Sequence, residues 1–229
     1  MPRKNDSELT ISKILTVSAK LFTEKGYEKT SVQDIVNGLE MSRGAIFHHF
    51  KSKEEIFDAV MTQHCDNVIR CSYKWLEGKE HLKAREKLTI LLEGHLKDKE
   101  LNAVNSIMTF QINNPHVLQV LIKDSLERYA PIFAKIIKEG IIDGSITTDF
   151  PEECAELILM LYSVWLQLRI WRYNDASSAD MQNLRNKLMF YKHTMKMLGV
   201  DIVSDATVNG YLQYAKEARK WVGKINDAD

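Results

Sequence analysis

The sequence predicts an all-α fold, with a small three-helix helix-turn-helix unit at the N-terminus and a larger helical region behind it. Three observations carry this. Apolar residues recur at three- and four-residue spacing along nearly the whole chain, and no useful stretch alternates with period two. Breakers are scarce, 10 Gly and 4 Pro in 229 residues, and they fall between the periodic segments. Two capping-box patterns, Thr30-Ser31-Val32-Gln33 and Ser52-Lys53-Glu54-Glu55, open helices within the first 55 residues.

The first helix reads from about residue 10 to 25, where Ile11, Ile14, Leu15, Ala19 and Phe22 form one apolar stripe. Gly26 stands where a left-handed residue ends a helix, and Tyr27 can fold back onto the stripe. Thr30 is expected to cap a short second helix at 31–38, with Gln33 reaching back. After a turn through Leu39, Glu40 and Met41, Ser42 caps a third short helix that ends near His49. Ser52 then opens a long helix to about Leu76. Further helices read at about 82–97, 102–113, 115–140, 152–173, 178–198 and 205–222. Asn113-Asn114-Pro115, Gly140 with Gly144, Pro151, Asn174-Asp175 and Gly199 separate them. We therefore expect a helix-turn-helix DNA-binding domain at 1–54 and a helical domain at 55–229, to which the family resemblance given below assigns ligand binding and dimerisation.

Composition narrows the class without naming a partner. Hydrophobic residues at 45% and charged residues at 27% are ordinary for a globular protein and argue against disorder. Lys+Arg and Asp+Glu both total 31, and residues 1–55 hold nine basic and eight acidic side chains. Contact with DNA must then come from positioned groups rather than from a bulk positive field. Cys65, Cys71 and Cys154 lack metal-ligand spacing and read as reduced thiols. The polar N-terminus has no signal-peptide core, and the apolar run at 157–168 is broken by Ser163 and Gln167. A soluble cytoplasmic protein with no membrane partner is the expectation.

Residues 11–57 resemble the tetracycline-repressor (TetR/AcrR) family. The resemblance runs through Ala19 and Phe22, Gly26-Tyr27, Thr30-Ser31-Val32, Ile35-Val36, Met41-Ser42-Arg43-Gly44 and the stretch from His48 to Glu54. Three positions depart from the family pattern. Glu40 replaces a common Gly, so either another backbone geometry serves or Gly38 shifts the helix end. Ala45 replaces a frequent Thr, and Phe47 replaces a frequent Tyr, which removes a phenolic phosphate contact.

In a helix-turn-helix the second helix enters the major groove with its N-terminal residues nearest the bases. Here that end is Ser42-Arg43-Gly44-Ala45. Arg43 can bond guanine O6 and N7 together, Gly44 and Ala45 permit close approach, and Ala45 can meet a thymine methyl. Thr30, Ser31 and Lys53 are expected at phosphates through helix N-termini and flanking donors. The family pattern places backbone contacts at His48 and His49, and Phe47 is expected beside them at the DNA. The two histidines point about 100° apart on a helix, and no carboxylate lies at ligand spacing, so neither a metal nor a catalytic site is expected.

The resemblance also implies a ligand cavity among the middle helices, of the usual apolar form with a few polar groups. His64, His95, Asn105 and Gln111 are the candidate polar contacts, with Trp75, Met108, Tyr129, Phe133 and Trp165 as large lining side chains. Most such residues in an all-α domain are simply core. One recognition helix reads few base pairs, so two half-sites and a two-fold dimer follow. The helices at 152–173 and 178–198 resemble in position the pair through which the family dimerises. Leu159, Tyr162, Leu166, Leu184, Leu188, Tyr191 and Met195 can form that face or equally an internal core.

The leading expectation is a sequence-specific repressor, released from a near-palindromic double-stranded operator by an unidentified small molecule. The alternative is a ligand-independent activator or DNA-organising protein controlled by a partner. An enzyme on this scaffold ranks last, because no activated nucleophile, phosphate-binding loop or paired acidic motif is present, and no cofactor is expected.

Overall fold

The computed structural model describes the backbone of residues 4–39, 41–98, 115–166 and 178–226, and the regular elements among them are all helical. The helix expected at 102–113, the end of the one expected at 152–173, and Glu40 lie outside the described residues. The chain divides into two compact units, Met1–Asn67 and Val68–Asp229.

The first unit holds α1 (Lys4–Lys25), α2 (Val32–Leu39), α3 (Arg43–His49) and most of α4 (Lys53–Leu76). α1 begins earlier than its apolar stripe, at Lys4. Gly26 ends the helix at φ 81°, and Tyr27 turns back so that its ring lies 5.6 Å from that of Phe22 and 4.8 Å from that of Phe57. Ile14, Phe22, Ile35, Ile46, Ile56 and Phe57 are buried. Because Ile56, Phe57, Val60, Met61, His64 and Cys65 are all buried on α4, the compact unit extends to Asn67, beyond the division expected at 54/55.

The first capping box differs from the expected one by a residue. Ser31, not Thr30, caps α2. The Asp34 amide donates to the Ser31 hydroxyl at 3.1 Å, and the Ser31 amide donates to the Asp34 carboxylate at 2.8 Å. Thr30 faces inward, where its hydroxyl donates to the Gly26 carbonyl at 2.7 Å. Gln33 bonds Asn37 instead of reaching back. Gly38 has no left-handed backbone, so it does not supply the missing turn glycine. It allows close packing, since a Cβ there would lie 2.9 Å from Val17.

The second unit contains the end of α4, α5 (Ala84–Lys97), α6 (Pro115–Asp124), α7 (Ala130–Ile142), α8 (Pro151–Met160), α9 (Ser178–Met197) and α10 (Asp205–Asn226). A π turn at Ser125–Tyr129 joins α6 to α7, and another at Leu161–Leu166 continues α8. The two helices meet at a serine pair, with Ser125 Oγ and Ser163 Oγ 3.1 Å apart. In the first π turn the Ala130 amide donates to the Ser125 carbonyl, five residues back. Ser163 donates its hydroxyl to the Leu159 carbonyl at 2.6 Å.

Distant caps close this unit. Asp143, just past α7, accepts from the Ala84 amide at 2.8 Å and so caps α5. Ser204 and Thr207 cap α10 reciprocally, and the Thr207 hydroxyl donates onward to Glu93 of α5 at 2.7 Å. Gly199, at φ 77°, ends α9 with the Val200 amide reaching the Met195 carbonyl.

Of the two roles open to the apolar face of these helices, the structure shows the core. Leu159, Leu166, Leu184, Leu188, Tyr191 and Met195 are buried, and Tyr162 packs against them. Burying such side chains is worth about 1.5–3 kcal/mol each, and a chain satisfies this internally first. On the same helices the outward apolar side chains are Leu157, Phe190 and Met197, exposed by 38%, 60% and 87%.

Candidate nucleic-acid interface

α3 is seven residues long, and its inner side is anchored by Ile46, fully buried, with Phe50 buried just beyond its end. Its start is fixed by Ser42, which is extended at φ −72° and ψ 149° and accepts the Ala45 amide at 3.2 Å. With the inner side held, Ser42, Arg43, Gly44, Phe47 and His48 are exposed, while Ala45 and His49 are half-buried. A Cβ built on Gly44 meets nothing within 4 Å, so this part of the helix offers bare backbone to an approaching surface. The Arg43 guanidinium carbon lies 5.4 Å from the centre of the Phe47 ring. The rings of His48 and His49 sit 5.1 Å apart, edge to face.

The expected phosphate anchors around α3 are arranged differently. The Thr30 side chain is enclosed. The Ser31 hydroxyl donates to Asp34 at 2.6 Å, and Lys25 bridges the same carboxylate at 2.7 Å. The Lys25 ammonium and the Ser31 donors hold the Asp34 carboxyl well below the usual range, so the start of α2 already carries an anion. Lys53 donates to the Tyr27 carbonyl at 2.9 Å, with its ammonium 4.2 Å from the Tyr27 ring centre. Burial, with Glu54 beside it, pushes the Tyr27 phenol up. Thr30 and Ser31 thus hold the turn from α1 into α2, and Lys53 ties the start of α4 to Tyr27. The pattern Ser31-x-x-Asp34 was the sequence signal for this arrangement.

Of the nine expected ligand residues, five have described side chains. His64 is buried in the first unit, whereas Phe133 is buried, and Tyr129 and Trp165 half-buried, in the core of the second. Trp75 lies across α5, where a Cβ on Gly94 would come within 2.1 Å of its ring. The Trp165 ring has the Lys187 ammonium 4.5 Å from its centre and the Phe190 ring at 5.8 Å. Asn105, Met108, Gln111 and the His95 side chain lie outside the described residues. An open groove of about 360 Å³ has Leu126, Ala130, Pro131 and Ala134 along one side and the Lys138–Glu152 ion pair on its rim. Among the described residues, none of the ligand candidates lines it.

Among the described residues no group of three His, Cys, Asp or Glu side chains could hold a metal ion, and no helix is long and apolar enough to cross a membrane. Cys65 and Cys154 are buried and Cys71 is half-buried.

A short capped helix held out over two buried anchors, with a separate all-helical unit behind it, defines a helix-turn-helix regulator. Family models agree across most of the chain: bacterial regulatory proteins of the tetR family match residues 14–60, and a tetracyclin repressor-like C-terminal domain matches residues 100–193. The chain belongs to the tetR family and is a DNA-binding transcriptional regulator.

Relatives are distant. The transcriptional repressor KstR2 of Rhodococcus jostii is 22% identical over 173 residues, covering 74% of this chain and 83% of its own. The transcriptional regulator UidR of Escherichia coli is 22% identical over 196 residues, covering 86% and 94%. Among solved structures, a TetR-family regulator from Pectobacterium atrosepticum aligns with a TM-score of 0.66 at 20% identity, over 86% of this chain and 97% of that one. Salmonella enterica GusR aligns at 0.58 and 19% identity, over 92% and 95%.

Proposed function

We propose that the protein is an operator-binding repressor, acting as a two-fold dimer in the cytoplasm and released from DNA by a small molecule held in its second unit, with no catalytic role. The observation that carries the DNA reading is the exposed start of α3, Arg43-Gly44-Ala45, capped by Ser42 and fixed from behind by Ile46 and Phe50. Arg43 reads a guanine by two parallel bonds, Gly44 and Ala45 let the backbone approach, and Phe47, His48 and His49 line the flank. Thr30, Ser31 and Lys53 act one step back, by fixing the turn into α2 and the start of α4. The name of the distant relative KstR2 supports repression rather than activation.

Dimerisation is assigned to α8 and α9, through the outward Leu157, Phe190 and Met197. Two recognition helices about 34 Å apart then meet successive major grooves, and a ligand that favours another spacing releases the DNA.

The test is footprinting on DNA upstream of the protein's own gene at two salt concentrations, with Arg43→Ala alongside. A protected near-palindrome, with specific affinity lowered about 10- to 100-fold per half-site in the variant at unchanged melting, is expected. Undiminished specific binding by Arg43→Ala would remove α3 as the reader.

A further inference from the structure

Phe47 differs from the other phenylalanine and tyrosine rings of the first unit. Phe22, Tyr27, Phe50 and Phe57 are buried, while Phe47 is 39% exposed on the outer side of α3. Leaving so large an apolar side chain in water forgoes burial that the neighbouring aromatics obtain. Its ring faces Arg43, one helical turn earlier, with the guanidinium carbon 5.4 Å from the ring centre. The pair has i, i+4 spacing, which brings side chains together on one helix face. Gly44, in the intervening turn, contributes no side chain to obstruct the approach of DNA.

An arginine carries large rotamer freedom, and a bidentate bond to guanine requires one orientation of its planar fork. An aromatic face beside the guanidinium restricts that freedom before binding, through stacking and the attraction of a cation to the ring quadrupole. We propose that Phe47 is a positioning residue for Arg43, its ring a platform that sets the guanidinium in the plane from which it reads a G·C pair. This rests on the reading of α3 as the recognition helix. The platform predicts a narrow effect: removing the ring relaxes choice at the base pair under Arg43 and leaves the other positions of the site alone.

The experiment uses the full-length protein. A site is selected from randomised duplex DNA with the wild type, and every single-pair variant of it is titrated with wild type, Phe47→Leu, Phe47→Tyr, Arg43→Ala and the Arg43→Ala/Phe47→Leu double variant. Phe47→Leu is expected to lose about two- to fivefold discrimination per half-site at the pair that Arg43→Ala also relaxes. Phe47→Tyr, which keeps the ring face, is expected to retain it, and the double variant to be no less selective there than Arg43→Ala alone. Full discrimination in Phe47→Leu would overturn the proposal, as would a loss spread evenly over the site, which would make Phe47 a direct contact. If Arg43→Ala relaxes no pair, the reading of α3 fails first and the platform has nothing to position. Equal melting temperatures exclude a folding defect.

Discussion

In the first unit α2 and α3 each start at a cap between partners three residues apart, Ser31 with Asp34 and Ser42 with Ala45. One longer tie runs from Lys53 to the Tyr27 carbonyl. The second unit is closed by bonds across long stretches of chain: Ala84 to Asp143, Thr207 to Glu93, and the Tyr211 hydroxyl to the Leu92 carbonyl at 2.9 Å. The difference matters for what each unit can absorb. A recognition helix positioned by local caps keeps its geometry when distant residues change. A unit closed by distant partners must keep its whole core consistent, and its variability is confined to surfaces and cavities.

The outer face of the second unit offers the strongest test of this division. Converting Phe190 and Met197 to Asp removes two exposed apolar groups and leaves the core intact. The variant is expected to sediment as a monomer with full helical content, and to lose about 10²- to 10⁴-fold in operator affinity because the two half-sites no longer bind as one ligand. A variant that remains dimeric would move the interface away from α8 and α9.

Next in size is Gly94→Ala. Its Cβ would fall 2.1 Å from the Trp75 ring, so α4 and α5 must separate or the indole must leave. A loss of about 1–3 kcal/mol is expected, read in urea unfolding together with a change in tryptophan emission. Amide exchange should quicken in α5 and remain unchanged in α1–α3, which is the locality argument in measurable form.

Smallest is Gly44→Ala, in which the two readouts should move in opposite directions. The new methyl meets nothing within the protein, and alanine favours a helix over glycine by about 1 kcal/mol. Melting should hold or rise while DNA affinity falls, since the added group stands where the groove floor approaches. Unchanged affinity would mean that the backbone of α3 does not come close to DNA.

Much of this contrast was legible in the sequence, and unevenly so. The short helices of the first unit announce themselves through hydroxyl caps and Gly26, because the forces that set them act within a few residues. Even there Thr30 and Ser31 offer two adjacent caps, and only the burial of Thr30 decides between them. In the second unit, helical spacing grouped Leu184, Leu188, Tyr191 and Met195 correctly on one face. It did not say whether that face turns to the core or to a partner, since both are apolar. The pairing of Trp75 with Gly94 depends on two helices meeting, and no local pattern encodes it. The Arg43–Phe47 contact, by contrast, follows from a spacing of four that the sequence displays plainly.

The π turns at Ser125–Tyr129 and Leu161–Leu166 bear on how this chain should be compared with its relatives. The first takes one more residue than an α-helical turn would, between α6 and α7. A relative with a straight helix there lacks that residue, and the homologous positions fall back into step only if a single-residue gap is set in mid-helix, where gaps are normally penalised. Without it, every side chain from Ala130 onward in that helix is matched to its neighbour's counterpart.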